Sequence, residues 1–192
     1  MRNIFIDLGA GSGDDIKGYY DLDPDNKDHE IFAFEANPHR VELLKKRYSD
    51  ITIFNAAAGV TNGKLNFYLS RNPDSSSLNK NKSGIDRKNV INVDVVNIAE
   101  WMKFNFKPTD YITMVMDIEG GEYDVLEYMW KTDCWHWINE FYVEFHGEKI
   151  AGFDLSIEND LTQRLIEYYG DNVYIFRKHQ HEKFLRLNLE GL

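Results

Sequence analysis

The sequence has little of three things that mark particular classes of protein. It contains one cysteine, Cys134, so no internal disulfide can form, and this predicts a reducing compartment. No apolar run approaches the roughly 20 residues that a membrane-spanning helix needs. Basic residues are in the minority, with 22 lysines and arginines against 32 aspartates and glutamates and a net charge of −10. These absences argue against a secreted disulfide scaffold, a membrane protein and a protein built mainly to grip nucleic acid.

The composition that is present is typical of one folded domain. Hydrophobic residues make up 43% of the chain and aromatic residues 14%, which is enough for a sizeable core in 192 residues. We therefore expect a single domain over residues 1–192. The chain enters its first predicted strand directly, so no signal peptide is expected and the predicted location is the cytoplasm. The sequence leaves the oligomeric state open.

A predicted buried strand near the start of the chain leads into a turn with three alternate glycines. The strand covers residues 4–8, and Gly9, Gly11 and Gly13 follow it. Because glycine has no Cβ, the backbone can turn sharply there and approach a ligand closely. Asp14 then begins a predicted helix, with acidic residues in the first turn where the helix dipole favours them. This order of strand, turn and helix is typical of a nucleotide-binding α/β domain.

The spacing of the glycines indicates which kind of ligand the turn binds. A dinucleotide fingerprint, G-x-G-x-x-G, needs a third glycine at the position of Asp14. A carboxylate at this helix N-terminus disfavours a pyrophosphate. A phosphate-binding P-loop is also excluded, because no Gly-Lys-Ser/Thr follows. With Asp7 just upstream, the turn suits a ligand that bears an ammonium and a sulfonium.

Strand and helix signals alternate through most of the chain, which predicts an α/β fold with a mainly parallel sheet and helices on both faces. The end of the chain is predicted to form an antiparallel edge hairpin from residues 172–177 and 184–189. Residues 63–92 interrupt the alternation and are predicted to be a hairpin and loop insertion near the substrate site. Within it, residues 79–88 carry four basic side chains and are predicted to be a solvated loop, and residues 56–59 are predicted to be a loop as well.

Candidate binding residues follow the second and third predicted strands, because open α/β sheets bind ligands beyond the carboxyl ends of their strands. Glu35 ends the second strand, about 20 residues after the glycine turn, and is placed to accept hydrogen bonds from both hydroxyls of a ribose. The third strand ends at Asn55, and Ala56 and Ala57 follow it. These small residues would leave room for an adenine ring, although tight packing of a helix on a strand explains them equally well.

Acidic residues and one histidine follow the fourth and fifth predicted strands. Asp117 and Glu119 come after the fourth strand, and Glu144 and His146 end the fifth. Acids at the ends of buried strands are costly unless they bind something. Glu119 has a second interpretation, as an acid at the start of a helix satisfied by backbone N–H groups. His146 is the one histidine of the six that is predicted to lie at this edge of the sheet.

Taken in order, these motifs resemble the FkbM-type family of class I S-adenosylmethionine (AdoMet)-dependent methyltransferases. The resemblance covers residues 3–147 and is carried by residues 5–13, 33–38, 55–59, 93–96 and 116–122. It implies a Rossmann-like class I methyltransferase fold with a seven-stranded sheet, AdoMet over the glycine turn, Glu35 on its ribose, and O-methylation of a small molecule or sugar hydroxyl. The chain departs from the family at Gly11, where asparagine is common. Because its first strand comes so early, we also expect it to lack an N-terminal extension of the kind that often shapes the substrate pocket.

Two sets of site residues are predicted. The catalytic set is His146, Asp117 and Glu144, with His146 as the base that removes the proton of an acceptor hydroxyl. The predicted cofactor-binding set consists of Asp7, Gly9, Ala10, Gly11, Gly13, Glu35, Ala36, Asn55, Ala56, Asp117 and Glu119.

Several alternatives stay open from sequence. No resident metal is predicted, although Asp117, Glu119, Glu144 and His146 together would suit a magnesium or manganese ion. The protein could bind AdoMet without turnover, or it could be an RNA methyltransferase with residues 80–88 as a basic flap. A nicotinamide-dependent oxidoreductase is the remaining alternative, and Asp14 counts against it.

Overall fold

The computed structural model describes residues 1–177, and its centre is a six-stranded sheet in the order β3-β2-β1-β7-β8-β9. In chain order the elements are β1 (Asn3–Leu8), α1 (Asp14–Leu22), β2 (Glu30–Phe34), α2 (Pro38–Arg47), β3 (Thr52–Phe54), β4 (Ala57–Gly59), β5 (Gly63–Ser70), β6 (Ile85–Asn97), α3 (Ile98–Asn105), β7 (Tyr111–Met116), α4 (Glu122–Lys131), β8 (Glu140–Phe145), α5 (Leu155–Tyr169) and β9 (Val173–Arg177). Each neighbouring pair in this sheet is parallel. The strand order reverses between β1 and β7, and such a switch point is where α/β sheets bind ligands.

The side chains of β1 show how the sheet divides two layers of core. Ile4, Ile6 and Leu8 are fully buried in the larger cluster, which also contains the apolar residues of α3, α4 and α5. Phe5, the residue between the first two, is buried in the second cluster with Ile16 of α1 and Leu44 of α2. Successive side chains of a strand point to opposite faces, so a strand covered by helices on both sides is apolar throughout.

The insertion forms a second, three-stranded sheet in the order β4-β6-β5. β5 and β6 make an antiparallel hairpin, and β4 runs parallel to β6. The prediction of a loop over residues 56–59 is therefore wrong at Ala57–Gly59, whose backbone pairs with Val95–Asn97. β6 also begins at Ile85, inside the stretch predicted to be a solvated loop. Pairing with β5 fixes this polar segment as a strand, although most of its side chains are exposed.

The predicted α/β architecture is confirmed, with helices on both faces of a parallel sheet. The last described strand, β9, pairs in parallel with β8. Residues 184–189, the predicted antiparallel partner of the edge hairpin, lie outside the described residues. Within residues 1–177, no helix combines the length and the apolar character that crossing a membrane requires.

Candidate active site

A cavity of about 360 Å³ lies at the carboxyl ends of β1, β2, β7 and β8. The structure brings most of the predicted site residues to its wall, namely Gly9, Ala10, Gly11, Glu35, Ala36, Ala56, Asp117, Glu119 and Glu144. Asp7, Gly13, Asn55 and His146 are the predicted residues that lie outside this lining set. The topology therefore gathers residues from four strand ends, more than 100 positions apart along the chain, around one space.

Gly9 allows the loop after β1 to lie directly against the loop after β7. Its φ is +92°, a left-handed conformation that favours glycine, and a Cβ at this position would lie 1.9 Å from the carbonyl oxygen of Asp117. Its own N–H donates to the carbonyl of Phe34 at 2.9 Å. The absence of a side chain at Gly9 therefore allows the loop after β1 to contact the loop after β7 beside the end of β2.

Glu35 lies in the cavity wall, and two backbone N–H groups hold its carboxylate in place. One carboxylate oxygen accepts the N–H of Gly11 at 2.8 Å, and the other accepts the N–H of Asn37 at 2.6 Å. Burial raises the pKa of Glu35 to about 7, and these two N–H groups oppose the rise. Each oxygen keeps acceptor capacity for another donor. The arrangement can accept two hydroxyl groups from a ligand in the cavity.

Gly11 takes a backbone conformation that asparagine also tolerates. Its φ is +52°, in the left-handed region where asparagine is enriched among non-glycine residues. Apart from the adjacent residues of the chain, the heavy atom nearest to a Cβ at this position would be Oδ1 of Asp74, at 3.8 Å. Asparagine, which is common at this position in the family, could therefore adopt the same backbone conformation as Gly11.

Three predicted cofactor residues support the wall from behind. The Asn55 side-chain amide donates to the carbonyls of Glu35 and Ala36 at 3.1 and 3.3 Å. A Cβ on Gly13 would lie 2.5 Å from the ring of Tyr48, so this glycine permits the packing of α1 on α2. Asp7 is fully buried within β1. A direct contact between the cofactor and Asn55, Gly13 or Asp7 stays a prediction.

Asp14 carries its negative charge at the mouth of the cavity. Its carboxylate lies 2.7 Å from the Arg47 guanidinium, and this hydrogen bond is the main cause that lowers the pKa of Asp14. The residue is therefore ionised at neutral pH at the start of α1, where a dinucleotide would place its pyrophosphate. Because Arg47 offsets part of this charge, the exclusion of a nicotinamide cofactor stays a prediction from the sequence.

His146 lies beneath the cavity wall with carboxylates on both of its ring nitrogens. Nδ1 is 2.9 Å from Oε1 of Glu122. Nε2 is 3.3 Å from Glu119 Oε2, 3.4 Å from Glu144 Oε1 and 3.6 Å from Asp117 Oδ1. The imidazole is only 1% exposed. The predicted catalytic trio is thus assembled in space, with the two acids at the cavity and the histidine behind them.

The electrostatic environment makes His146 a buried cation. Burial alone lowers the pKa of the imidazole, but the carboxylates outweigh it, Glu122 first, and raise the pKa of His146 to about 10. Both ring nitrogens then carry protons at neutral pH. A doubly protonated ring has no lone pair with which to accept a proton, so it suits the role of a fixed positive charge.

Glu122 is a site residue that the sequence analysis missed. It is fully buried and accepts the N–H groups of Ile118 and Gly120 at 3.1 and 2.9 Å, in addition to its contact with His146. The sequence analysis gave it no role of its own, because an acid in the first turn of a helix is common. The signal that could have found it is its position as the last residue of the 116–122 motif.

Lys82 is a second missed residue, and here the predicted solvated loop is wrong. The Lys82 side chain is 1% exposed, and its Nζ lies 2.7 Å from Oε2 of Glu119. The same Nζ donates to the carbonyl of Ser75 at 2.8 Å. A lysine in a polar stretch is normally solvated, so the sequence held no signal for this ion pair.

The carboxylates of this cluster surround the imidazole ring of His146. Within the described part of the chain, donor atoms of Asp117, Glu122 and His146 lie within 4.8 Å of one another, a spacing that could hold a metal ion. Two of these donors, Glu122 Oε1 and His146 Nδ1, already contact each other at 2.9 Å. A metal on the predicted set of Asp117, Glu119, Glu144 and His146 stays an untested alternative.

Comparisons with known proteins agree with this architecture. A family model described as the methyltransferase FkbM domain matches residues 7–176. The fold is similar to that of a methyltransferase FkbM from Methylobacillus flagellatus KT, known from a crystal structure, with a TM-score of 0.52 and 17% sequence identity. The match covers 84% of this chain and 37% of that one, so this chain spans well under half of that protein. A search of curated proteins found no match. The extent of the family match shows that the chain belongs to the FkbM methyltransferase domain family.

Proposed function

We propose that this protein transfers a methyl group from AdoMet to a hydroxyl of a small molecule or sugar. Membership of the FkbM methyltransferase domain family supports methyl transfer. The observation that carries the choice of AdoMet is Glu35, a buried carboxylate at the end of β2 that faces the cavity and is held by the N–H groups of Gly11 and Asn37. A carboxylate at this place suits the two hydroxyls of a ribose.

The residues of the cavity wall fit the other parts of AdoMet. Ala56 and Ala57 present small side chains that leave room for an adenine ring. At the far end of the cavity, Asp117 and Glu119 offer negative charge to an ammonium and a sulfonium. When bound, AdoMet supplies a methyl carbon that its sulfonium already activates, so the protein has to align the acceptor and exclude water.

The proton of an acceptor hydroxyl must also leave, and the structure favours a carboxylate for that task. Asp117 and Glu144 line the cavity, whereas His146 lies behind them with its side chain 1% exposed. We propose that one of these acids takes the proton and that the His146 cation fixes both of them. The role of His146 as the base itself stays a hypothesis from the sequence.

An RNA acceptor is less well supported. The side chains that line the cavity are acidic at several positions and basic at Lys149, and a phosphate backbone would be repelled there. Lys82, part of the basic flap on which that alternative depends, is buried in an ion pair. The acceptor we propose is therefore small and carries no negative charge.

A thermal shift assay with AdoMet, S-adenosylhomocysteine and NAD in parallel tests the proposal. A ligand that binds the folded state alone stabilises it by about 2.7 kcal/mol at a hundredfold excess over its Kd. We expect AdoMet and S-adenosylhomocysteine to raise the Tm and NAD to leave it unchanged. A shift with NAD alone, or with none of the three, would contradict the proposed function.

A further inference from the structure

A segment of the insertion, residues 72–84, which we name the cover segment, closes one side of the cavity. Residues 72–76 and Leu78 line the cavity opposite the ends of the parallel strands. The segment is mostly polar. It contains Lys80 and Lys82, and Arg87 follows it. Few apolar side chains are available to hold it down, so its position depends on specific polar contacts.

Lys82 provides one of these contacts and is deeply buried. Its neighbours Asn81 and Ser83 are exposed, whereas its own side chain is 1% exposed. The Nζ atom meets Oε2 of Glu119 at 2.7 Å and donates to the carbonyl of Ser75 at 2.8 Å. The Lys82 ammonium therefore links two parts of the cover segment, residues 82 and 75, to Glu119 in the cavity wall.

Glu119 is held by the cover segment at both its main chain and its side chain. Its carbonyl accepts the hydroxyl of Ser77 at 2.7 Å, and Ser77 is 1% exposed. Its φ of +56° lies in the left-handed region, which a residue with a side chain occupies only where its surroundings hold it. On its other side the carboxylate meets His146 Nε2 at 3.3 Å. Two buried cations thus fix one carboxylate that lines the cavity.

Backbone hydrogen bonds hold Asn81 and Ser83 of the cover segment against the chain that follows β8. The N–H of Ser83 donates to the carbonyl of Lys149 at 2.6 Å, and the N–H of Ala151 donates to the carbonyl of Asn81 at 3.0 Å. Lys82 lies between these two bonds. Loss of its charge would leave His146 as the remaining one of these two buried cations beside the Glu119 carboxylate, and removal of one partner from a buried ion pair is unfavourable.

We infer that Lys82 is a positioning residue of the methyl-transfer site, which fixes the Glu119 carboxylate in the cavity wall and keeps the cover segment closed over the cavity. The ligand named for this site rests on the proposed function. The closing of the cover segment does not, because it follows from contacts of the free protein. Access to the cavity then depends on a residue that lies outside the motifs that carry the family resemblance in this chain.

Hydrogen exchange of the free protein tests the closing of the cover segment. Lys82→Met removes the charge and keeps much of the stem, and Lys80→Met is the matched control, because Lys80 lies two positions away and is exposed. We expect Lys82→Met to speed exchange of the Ser83 and Ala151 amides about tenfold or more, and Lys80→Met to leave both unchanged. Equal protection in the Lys82→Met variant and the wild type would overturn the inference.

Calorimetric titration with S-adenosylhomocysteine tests the positioning of Glu119. Lys82→Met is expected to raise the Kd about tenfold, and to change it less than about twofold when Glu119→Gln is already present. The same rise in both backgrounds would mean a general structural effect and would overturn the positioning role. If the wild type does not bind S-adenosylhomocysteine, the proposed function fails, while the exchange experiment still decides the role of Lys82.

A double variant covers the case in which Lys82→Met does not fold. Lys82→Met with Glu119→Gln leaves no unpaired buried charge, so we expect it to fold. Its Ser83 and Ala151 amides should still exchange about tenfold faster than those of the wild type, because the ion pair is absent. Wild-type protection in this double variant would overturn the inference.

Discussion

The affinity for the methyl donor is predicted to depend on the ionisation of Glu35. Burial raises the pKa of this carboxyl to about 7, so the free protein holds it largely protonated at pH 6 and largely ionised at pH 8. Ribose hydroxyls donate to the ionised form. With a pKa of about 7, roughly one eleventh of the protein is competent at pH 6 and roughly ten elevenths at pH 8. The apparent Kd should therefore be about tenfold higher at pH 6 than at pH 8.

Isothermal titration with S-adenosylhomocysteine at pH 6, 7 and 8 measures this dependence. Glu35→Gln should weaken binding and remove the pH dependence, because an amide group would face the N–H of Gly11 or Asn37 with its own N–H. Glu42→Gln is the control, since Glu42 lies on α2 in an exposed ion pair with Lys45. An affinity that is constant from pH 6 to pH 8, or a pH dependence that survives in Glu35→Gln, would refute the reasoning.

The remaining predictions concern stability, each followed by urea denaturation. Gly9→Ala should cost at least about 2 kcal/mol more than Gly152→Ala, because both positions have a positive φ but only the first Cβ would clash, with the carbonyl of Asp117; equal losses would contradict this. Glu122→Gln should lower the free energy of unfolding by about 3 kcal/mol at pH 7, because it removes the charge nearest the buried His146 cation; a loss below about 1 kcal/mol would contradict it. The stability that comes from the raised pKa of His146 is complete below its ordinary pKa of 6.5 and is lost as the pH rises through about 10. The stability difference between the wild type and His146→Asn should therefore shrink from pH 7 to pH 10, and a constant difference would count against the buried cation.

The sequence predicted the central sheet well, because its strands are short apolar runs buried on both faces. The strand predicted over residues 4–8, for example, is β1 (Asn3–Leu8) in the structure. The position of the cavity could also be predicted, since the carboxyl ends of parallel strands meet at one edge of the sheet. Gly9, Glu35 and Asp117 reach the cavity for that reason and need no knowledge of side-chain packing.

The partners of the polar residues could not be predicted, because they depend on contacts between distant parts of the chain. Glu122 was not among the predicted site residues, and its role follows from the approach of His146, which comes directly after β8. Lys82 appeared as a solvated lysine, and its burial follows from the folding of the insertion against the loop after β7. A sequence pattern reports the period and the polarity of an element. It does not report which charge of opposite sign will face it.

A crystal structure of the complex with S-adenosylhomocysteine is the most direct test of the central claim, that the cavity at the ends of β1, β2 and β7 binds the methyl donor. We predict both ribose hydroxyls within hydrogen-bond distance of the Glu35 carboxylate, the adenine beside Ala56, and the amino acid end of the ligand toward Asp117. A ligand bound elsewhere, or a ribose held by residues other than Glu35, would contradict the account.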